Sequence, residues 1–200
     1  MADRVEDLSR FFERFPGIGP RQAKRFVYHL LTLPQSERAK LADLVSALAA
    51  DVKQCAECMR YAPGAGPSCS YCSDTSRDDA ILMILEKDQD LAAMERAGTY
   101  KGRYFVLGGV LTLSGKGVIR EKELVQAVSA RLKNGLTEVV LALSATSEGE
   151  NTADRVRELL RNYRKRLKIT ALGRGLATGS ELEYADKETL SGALQNRKET

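Results

Sequence analysis

Cys55-Ala-Glu-Cys58-Met-Arg-Tyr-Ala-Pro-Gly-Ala-Gly-Pro-Ser-Cys69-Ser-Tyr-Cys72 contains every cysteine of this 200-residue chain, arranged as two matched Cys-x-x-Cys pairs. A Cys-x-x-Cys turn aims two thiolates at one ion. The spacer with Pro63, Gly64, Gly66 and Pro67 lets the two pairs meet tetrahedrally, so Cys55, Cys58, Cys69 and Cys72 are expected to hold a structural Zn²⁺. Four protein ligands leave no position for an activated water, so the metal is expected to hold a fold rather than do chemistry. Two disulfides are the alternative. The opening Met-Ala-Asp-Arg carries no apolar leader to suggest an oxidising compartment, which favours the metal and a cytoplasmic location.

A chain with 43% hydrophobic and 29% charged residues has enough apolar material for one ordinary core and one or two small modules. No apolar run reaches the length of a membrane span, so no membrane partner is expected. The formal charge of +4 permits a nucleic-acid partner without demanding one. The distribution of charge says more. Residues 14–36 contain no acid, yet they carry Arg14, Arg21, Lys24 and Arg25 around Phe15-Pro16-Gly17-Ile18-Gly19-Pro20.

On either side of that turn, Val5, Leu8, Phe11, Phe12 and Phe15, then Ala23, Phe26, Val27, Leu30 and Leu31, recur at helical spacing. Pro20 suits the first position of the second helix, and Ile18 is expected to plug the space between the two. The pattern is a helix-hairpin-helix. In such a unit the glycines, here Gly17 and Gly19, bring backbone N–H groups against a phosphate at the positive end of the second helix. Arg21, Lys24 and Arg25 share one face of that helix and extend the same surface, which would contact DNA without reading bases. The bland alternative is a helical hairpin with a solvated basic face. His29 reads as filler. A third helix is expected from Ser36 as N-cap, packing Leu41, Leu44, Val45, Leu48 and Val52 on the hairpin.

Past Cys72 the pattern alternates. Strands are expected at 80–86, 104–107, 139–143 and 168–172, and helices at 90–97, 121–132 and 152–163. Apolar strand runs between amphipathic helices imply a parallel sheet buried on both faces, with functional groups at the strands' C-terminal ends. Glu86 ends the first strand. Residues 144–150 follow the third as a loop. Gly115-Lys116 lacks the earlier glycine of a phosphate-binding P-loop, and with one histidine and no spare cysteine no nucleophilic triad is credible. The basic run Arg161-Asn-Tyr-Arg-Lys-Arg166, with Lys168 beyond, reads either as a second DNA surface or as complement to the negative end of its helix.

In this order the hairpin, the four cysteines and an alternating domain opening on a strand-end glutamate resemble the RecR family of bacterial recombination mediators. The most specific pieces are Phe15-Pro-Gly-Ile-Gly-Pro20, the cysteine segment running on to Arg77-Asp78, Glu148-Gly-Glu150-x-Thr152-Ala153, and Leu182-Glu-Tyr-Ala-Asp186. The resemblance implies an α+β multi-module chain. Its parts are a helix-hairpin-helix domain at 1–53, a C4 zinc finger at 54–79, a Toprim domain with a parallel-rich sheet at 80–175, and a helical C-terminal oligomerisation segment at 176–200. It further implies action with RecO and RecF to help load RecA on single-stranded DNA at gaps and breaks, binding to single- and double-stranded DNA, and assembly as a dimer or tetrameric ring. Glu86, Glu148 and Glu150 would face partners. Catalytic Toprim enzymes pair the strand-end glutamate with an Asp-x-Asp after a later strand; here that place reads Leu143-Ser-Ala-Thr146. One carboxylate holds Mg²⁺ poorly, so no enzymatic activity is expected, and a metal-dependent nuclease or primase is the alternative. The chain departs from the family's usual wording at 108–109, 111–118 and 177–180.

Overall fold

The structure is a computed structural model describing residues 3–64 and 66–199, so the first two residues of the opening tetrapeptide lie outside the described residues. Two compact units divide the chain between residues 52 and 53.

In the first unit, α1 (Arg4–Phe12) and α2 (Pro20–Thr32) form the expected hairpin, followed by α3 (Gln35–Asp51). Asp3 caps α1 by accepting hydrogen bonds from the Val5 and Glu6 N–H groups. Small residues let the helices approach: Ser9 and Ala23 are fully buried, with Val27 beside them. Ser9 satisfies its hydroxyl by donating to the Val5 carbonyl at 2.7 Å. Phe12 packs edge-to-face on Phe15 and Phe26, each at 5.8 Å between ring centres. Ile18 is only half-buried, so the aromatic cluster rather than Ile18 fills the turn.

The third helix departs from expectation. Pro34, not Ser36, stands at its N-cap, because proline's fixed φ of −56° sets the chain entering Gln35. No α3 residue is buried, and Leu41, Leu44, Val45 and Leu48 stay between 43% and 61% exposed. Its apolar stripe borders an apolar groove of about 700 Å³ whose other walls are Leu8, Phe11, Phe15 and Leu31.

The second unit is built on a four-stranded, wholly parallel sheet in the order β4-β3-β5-β6, from β3 (Asp78–Leu85), β4 (Gly102–Val106), β5 (Glu138–Ala142) and β6 (Lys168–Ala171). Helices α5 (Asp88–Ala97), α6 (Glu121–Leu132) and α7 (Ser147–Leu159) form the connections. Alternation along β3 assigns its side chains to two cores. Leu82 and Ile84 join Phe105, Leu124, Val128 and Val156 on the α6 and α7 face. Met83 and Leu85 join Leu91, Tyr104 and Val106 on the other. Each such side chain contributes about 1.5–3 kcal/mol of burial. The first strand lies inside the sheet with β4 on one side and β5 on the other, so the crevice where strand order reverses opens at its C-terminal end.

Ahead of the sheet lie the short β1 (Val52–Gln54), which begins at the unit boundary and pairs with β2 (Tyr61–Pro63), and then α4 (Ser70–Ser73). Every residue of β4 is buried although it is the sheet's edge strand. The cysteine segment covers it: the Val106 N–H donates to the Cys58 carbonyl at 2.8 Å, and Arg103 donates to the Tyr71 and Cys72 carbonyls at 2.9 Å. After β6 a largely exposed strap leads to α8 (Lys187–Gln195), whose N-cap Asp186 accepts from the Thr189 N–H at 2.8 Å.

Candidate nucleic-acid interface and metal centre

Gly17 turns the hairpin with a φ of 77°, a conformation that suits glycine. Gly19 then caps α2 through its backbone alone, and Pro20 occupies the first turn. No side chain caps this helix end and no acid lies in its first turn, leaving the positive end of α2 facing solvent. A Cβ placed at Gly17 or Gly19 would meet nothing within 4 Å, so the backbone there is open to close approach.

The three cations expected on this helix are all exposed but not equivalent. Among the described residues Arg21 makes no ion pair or hydrogen bond, and Arg25 touches only the neutral Gln22, at 3.4 Å. Lys24 lies 3.7 Å from Glu6, which also meets Arg10 at 3.4 Å. Sequence reading of the basic stretch missed this counter-ion because Glu6 belongs to the other helix. The two arginines therefore carry the uncompensated charge.

The cysteines come together as expected. Their four sulfurs lie within 4.8 Å of one another, with Cys58 and Cys69 Sγ 3.6 Å apart. Tetrahedral zinc with Zn–S bonds of about 2.3 Å would set sulfurs about 3.8 Å apart, so the cluster fits that ion. Cys55, Cys58 and Cys69 are buried and none is in a disulfide. The Cys69 N–H donates to Cys55 Sγ at 3.3 Å, tying the two knuckles together. Met59 accepts a left-handed φ of 62° so that the first knuckle can close, with its N–H donating to the Cys55 carbonyl at 3.0 Å. Within this cluster a hydrogen bond to Cys72, then burial, pushes the Cys58 thiol up, while the same bond holds Cys72 down. Thiols this close cannot all ionise alone; a soft divalent cation removes the conflict.

The cysteine module is fastened by Arg77, which the sequence offered only as a mark of the family resemblance, and by Arg103, which it did not single out. Arg77 ion-pairs with Glu95 at 2.7 Å, donates to the Gly102 carbonyl at 3.2 Å, and stacks over Tyr71 and Tyr104. Its Nε has no hydrogen bond and lies 3.6 Å from Asp74, within ion-pair range only. Arg103 pairs with Asp79 at 2.6 Å. Asp74 and Tyr71 are near Arg77 in sequence, but Glu95 lies 18 residues from it, and Asp79 and Tyr71 lie 24 and 32 residues from Arg103, beyond any local motif.

Glu86 sits at the reversal crevice, 7% exposed, and accepts a 2.6 Å hydrogen bond from the Ser144 N–H. Asp90 is near enough for the Glu86 charge to push its carboxyl up, after burial, but the two are not part of a larger cluster: among the described residues the four cysteines form the one group of three or more ligating side chains suited to a metal. The segment after β5 was expected as a loop. Instead α7 begins at Ser147, capped by Thr146, which accepts from the Gly149 N–H at 3.1 Å. Glu148 and Glu150 thus occupy a helical first turn, where acids suit the positive helix end. Glu150 is ion-paired with Arg174, and Glu148 is half-buried. Buried Thr152 accepts from the Leu111 N–H at 2.9 Å, tying the 111–118 loop to α7.

A parallel sheet with a buried glutamate at its reversal point, joined to a four-cysteine module and preceded by a helical hairpin, defines a Toprim-type protein. Family models agree by region: "RecR, helix-hairpin-helix" matches residues 5–49, "Toprim domain" residues 80–172, and "RecR, C-terminal" residues 175–198. A Recombination protein RecR of Prochlorococcus marinus is 40% identical over 190 residues, covering 94% of this chain and 96% of its own. Another, of Ruegeria pomeroyi, is 38% identical over 205 residues and covers all of both chains. The counterpart in Nocardioides is 36% identical over 195 residues, covering 97% and 96%. The chain belongs to the RecR family.

Proposed function

We propose that this chain is a DNA-binding recombination mediator that catalyses no reaction itself, acting with RecO and RecF to help load RecA on single-stranded DNA at gaps and breaks. The carrying observation is the open, uncapped N-terminus of α2 with Arg21 and Arg25 uncompensated beside it, in a chain of the RecR family. Backbone N–H groups of the Gly17–Gly19 turn and of the first turn of α2 grip one phosphate while the arginines neutralise its neighbours. The contact is blind to base identity, so it serves single and double strands alike. Lys24, held by Glu6, adds less.

Zn²⁺ held by Cys55, Cys58, Cys69 and Cys72 supplies the structural cofactor. The domains are taken as 1–53, 54–79, 80–175 and 176–200, with the protein working in the cytoplasm at the nucleoid. The uncovered leucines of α3 and the exposed Leu182, Tyr184 and Leu194 near the C-terminus support a homo-oligomer, dimer or tetrameric ring, because apolar faces this open call for a partner. Glu148 and Glu150 are the acids of the Toprim domain offered to RecO or RecF, whereas Glu86, 7% exposed and bound to the Ser144 N–H, must be uncovered to join them. Glu150 must release Arg174 to take part.

Arg21→Glu with Arg25→Glu is expected to weaken binding to unrelated DNA sequences equally, with an unchanged melting temperature. The slope of log affinity against log salt should flatten by about two units. An unaltered slope would remove the hairpin from the mechanism. The same samples, weighed in solution with and without gapped DNA and RecO, should exceed the 22.0 kDa of one chain. Mg²⁺-dependent DNA cleavage abolished by Glu86→Gln would instead establish the nuclease reading.

A further inference from the structure

The turn after α7 holds a second concentration of charge that the hairpin does not explain. Residues 159–168 carry five cations, Arg161, Arg164, Lys165, Arg166 and Lys168, and no acid, against a formal charge of +4 for the whole chain. All five are exposed. Their backbone is fixed, because Leu160 and Leu167 at the two ends are 0% and 3% exposed and Tyr163 between them packs on the same core. With those three side chains turned inward, the intervening ones must point to solvent.

Charge at a helix C-terminus often serves the last carbonyls, as Arg197 does by donating to the Leu194 carbonyl at 2.7 Å. Here it does not. Among the described residues, the side chains of Arg161, Arg164, Lys165 and Arg166 make no hydrogen bond or ion pair, and Lys168 has only Glu138 at 3.9 Å. The run lies where β6 begins, at the N-terminal edge of the sheet. That is about 16 Å of strand, the length of five-residue β5, from the end that carries Glu86.

We infer that the 161–168 turn is a second DNA-phosphate contact, on the Toprim domain and separate from the hairpin. A protein interface is organised around buried aromatic or apolar anchors with few charges at its centre. This surface offers the reverse, fixed cations with the apolar side chains withdrawn, and a phosphate backbone is the ligand with matching chemistry. The inference rests on the reading that the chain binds DNA.

The test uses the full chain with Arg164→Gln, Lys165→Gln and Arg166→Gln together, the hairpin double variant, and both sets combined. Each is titrated with a single-stranded oligonucleotide and a duplex of equal length over a range of salt. At about 0.9 unit per lost duplex contact and about 0.7 per single-strand contact, the triple variant should flatten the slope by about two to three units, additively with the hairpin change. The arm that flattens identifies which form of DNA engages. Should the triple variant melt early, Arg161→Gln with Lys168→Gln at the rim should reproduce a smaller flattening. A triple variant with unchanged slopes overturns the inference while a flattened hairpin variant keeps the proposed function. Flattening in the triple variant alone keeps this surface and removes the hairpin. If an acidic peptide binds the turn while both DNA slopes stay unchanged, the surface is a protein site and the inference fails.

Discussion

Arg77 shows how one side chain fastens two parts of the second unit. Its side chain is 9% exposed, sandwiched against Tyr71 of the cysteine module and Tyr104 of β4, and ion-paired to Glu95 of α5. Arg77→Met keeps the stem but strands Glu95, and breaking a buried pair in this way costs about 3 kcal/mol, read as a lower denaturant midpoint. The same pair sets an acid limit. Burial pushes the Glu95 carboxyl up, but hydrogen bonds from Arg77 and Tyr104 more than reverse this and hold it below the usual range. With its folded value depressed, Glu95 contributes stability that is complete above its unfolded value near 4.5 and is lost as pH falls through the lower folded one. Glu95→Gln should therefore flatten the pH dependence of unfolding below about pH 4.5, with little change in its slope near neutrality. An equal acid slope in wild type and variant would show that Glu95 carries none of it. None of this was legible in the sequence, since Arg77 and Glu95 meet only after α5 has returned along the sheet.

At the level of elements, legibility followed burial. The runs around 80–86 and 139–143 read correctly as strands because a parallel strand packed on both faces needs an unbroken apolar stretch. Helix α7 was read as starting five residues late. Its first turn, Ser-Glu-Gly-Glu-Asn, has no apolar residue to mark a period, and Gly149 resembles a loop residue. Close packing is what Gly149 permits. An added Cβ would lie 2.0 Å from the Ser144 carbonyl oxygen, so only hydrogen lets the helix seat against the end of β5. Gly149→Ala, although favourable by helix propensity, should destabilise by about 1–3 kcal/mol through overpacking. It should also disturb the Ser144 N–H that meets Glu86. Chemical shifts of the Ser144 amide would check this; if they and the melting temperature are unmoved, the tight contact is not limiting. The α3 face was legible as amphipathic but misassigned, because periodicity reports that a face is apolar and not which molecule covers it.

Across the whole molecule, the cysteine cluster was the most legible feature, because thiol spacing alone nearly dictates its geometry. What the spacing could not convey is that the cluster guards the sheet. Cys58 supplies both a sulfur to the centre and a carbonyl to Val106 on edge strand β4. Cys58→Ser is thus expected to lower metal content from one ion per chain to none. Hydrogen exchange should rise at the amides of β4 as well as within residues 53–74. The hairpin amides, in a separate compact unit, serve as the internal reference. Protection of β4 unchanged in a metal-free variant would separate the ion from the sheet.

Because the cysteine segment covers the outer edge of β4, through the Cys58 carbonyl and the two carbonyls that hold Arg103, timing matters when new copies are made. A polypeptide that completes its sheet before capturing an ion presents an unpaired ribbon to its neighbours and becomes adhesive. Refolding with a chelator should send such copies to the pellet, while adding zinc before dilution keeps them in the supernatant. Metal supply would then govern how many copies survive synthesis, well before any of them meets DNA.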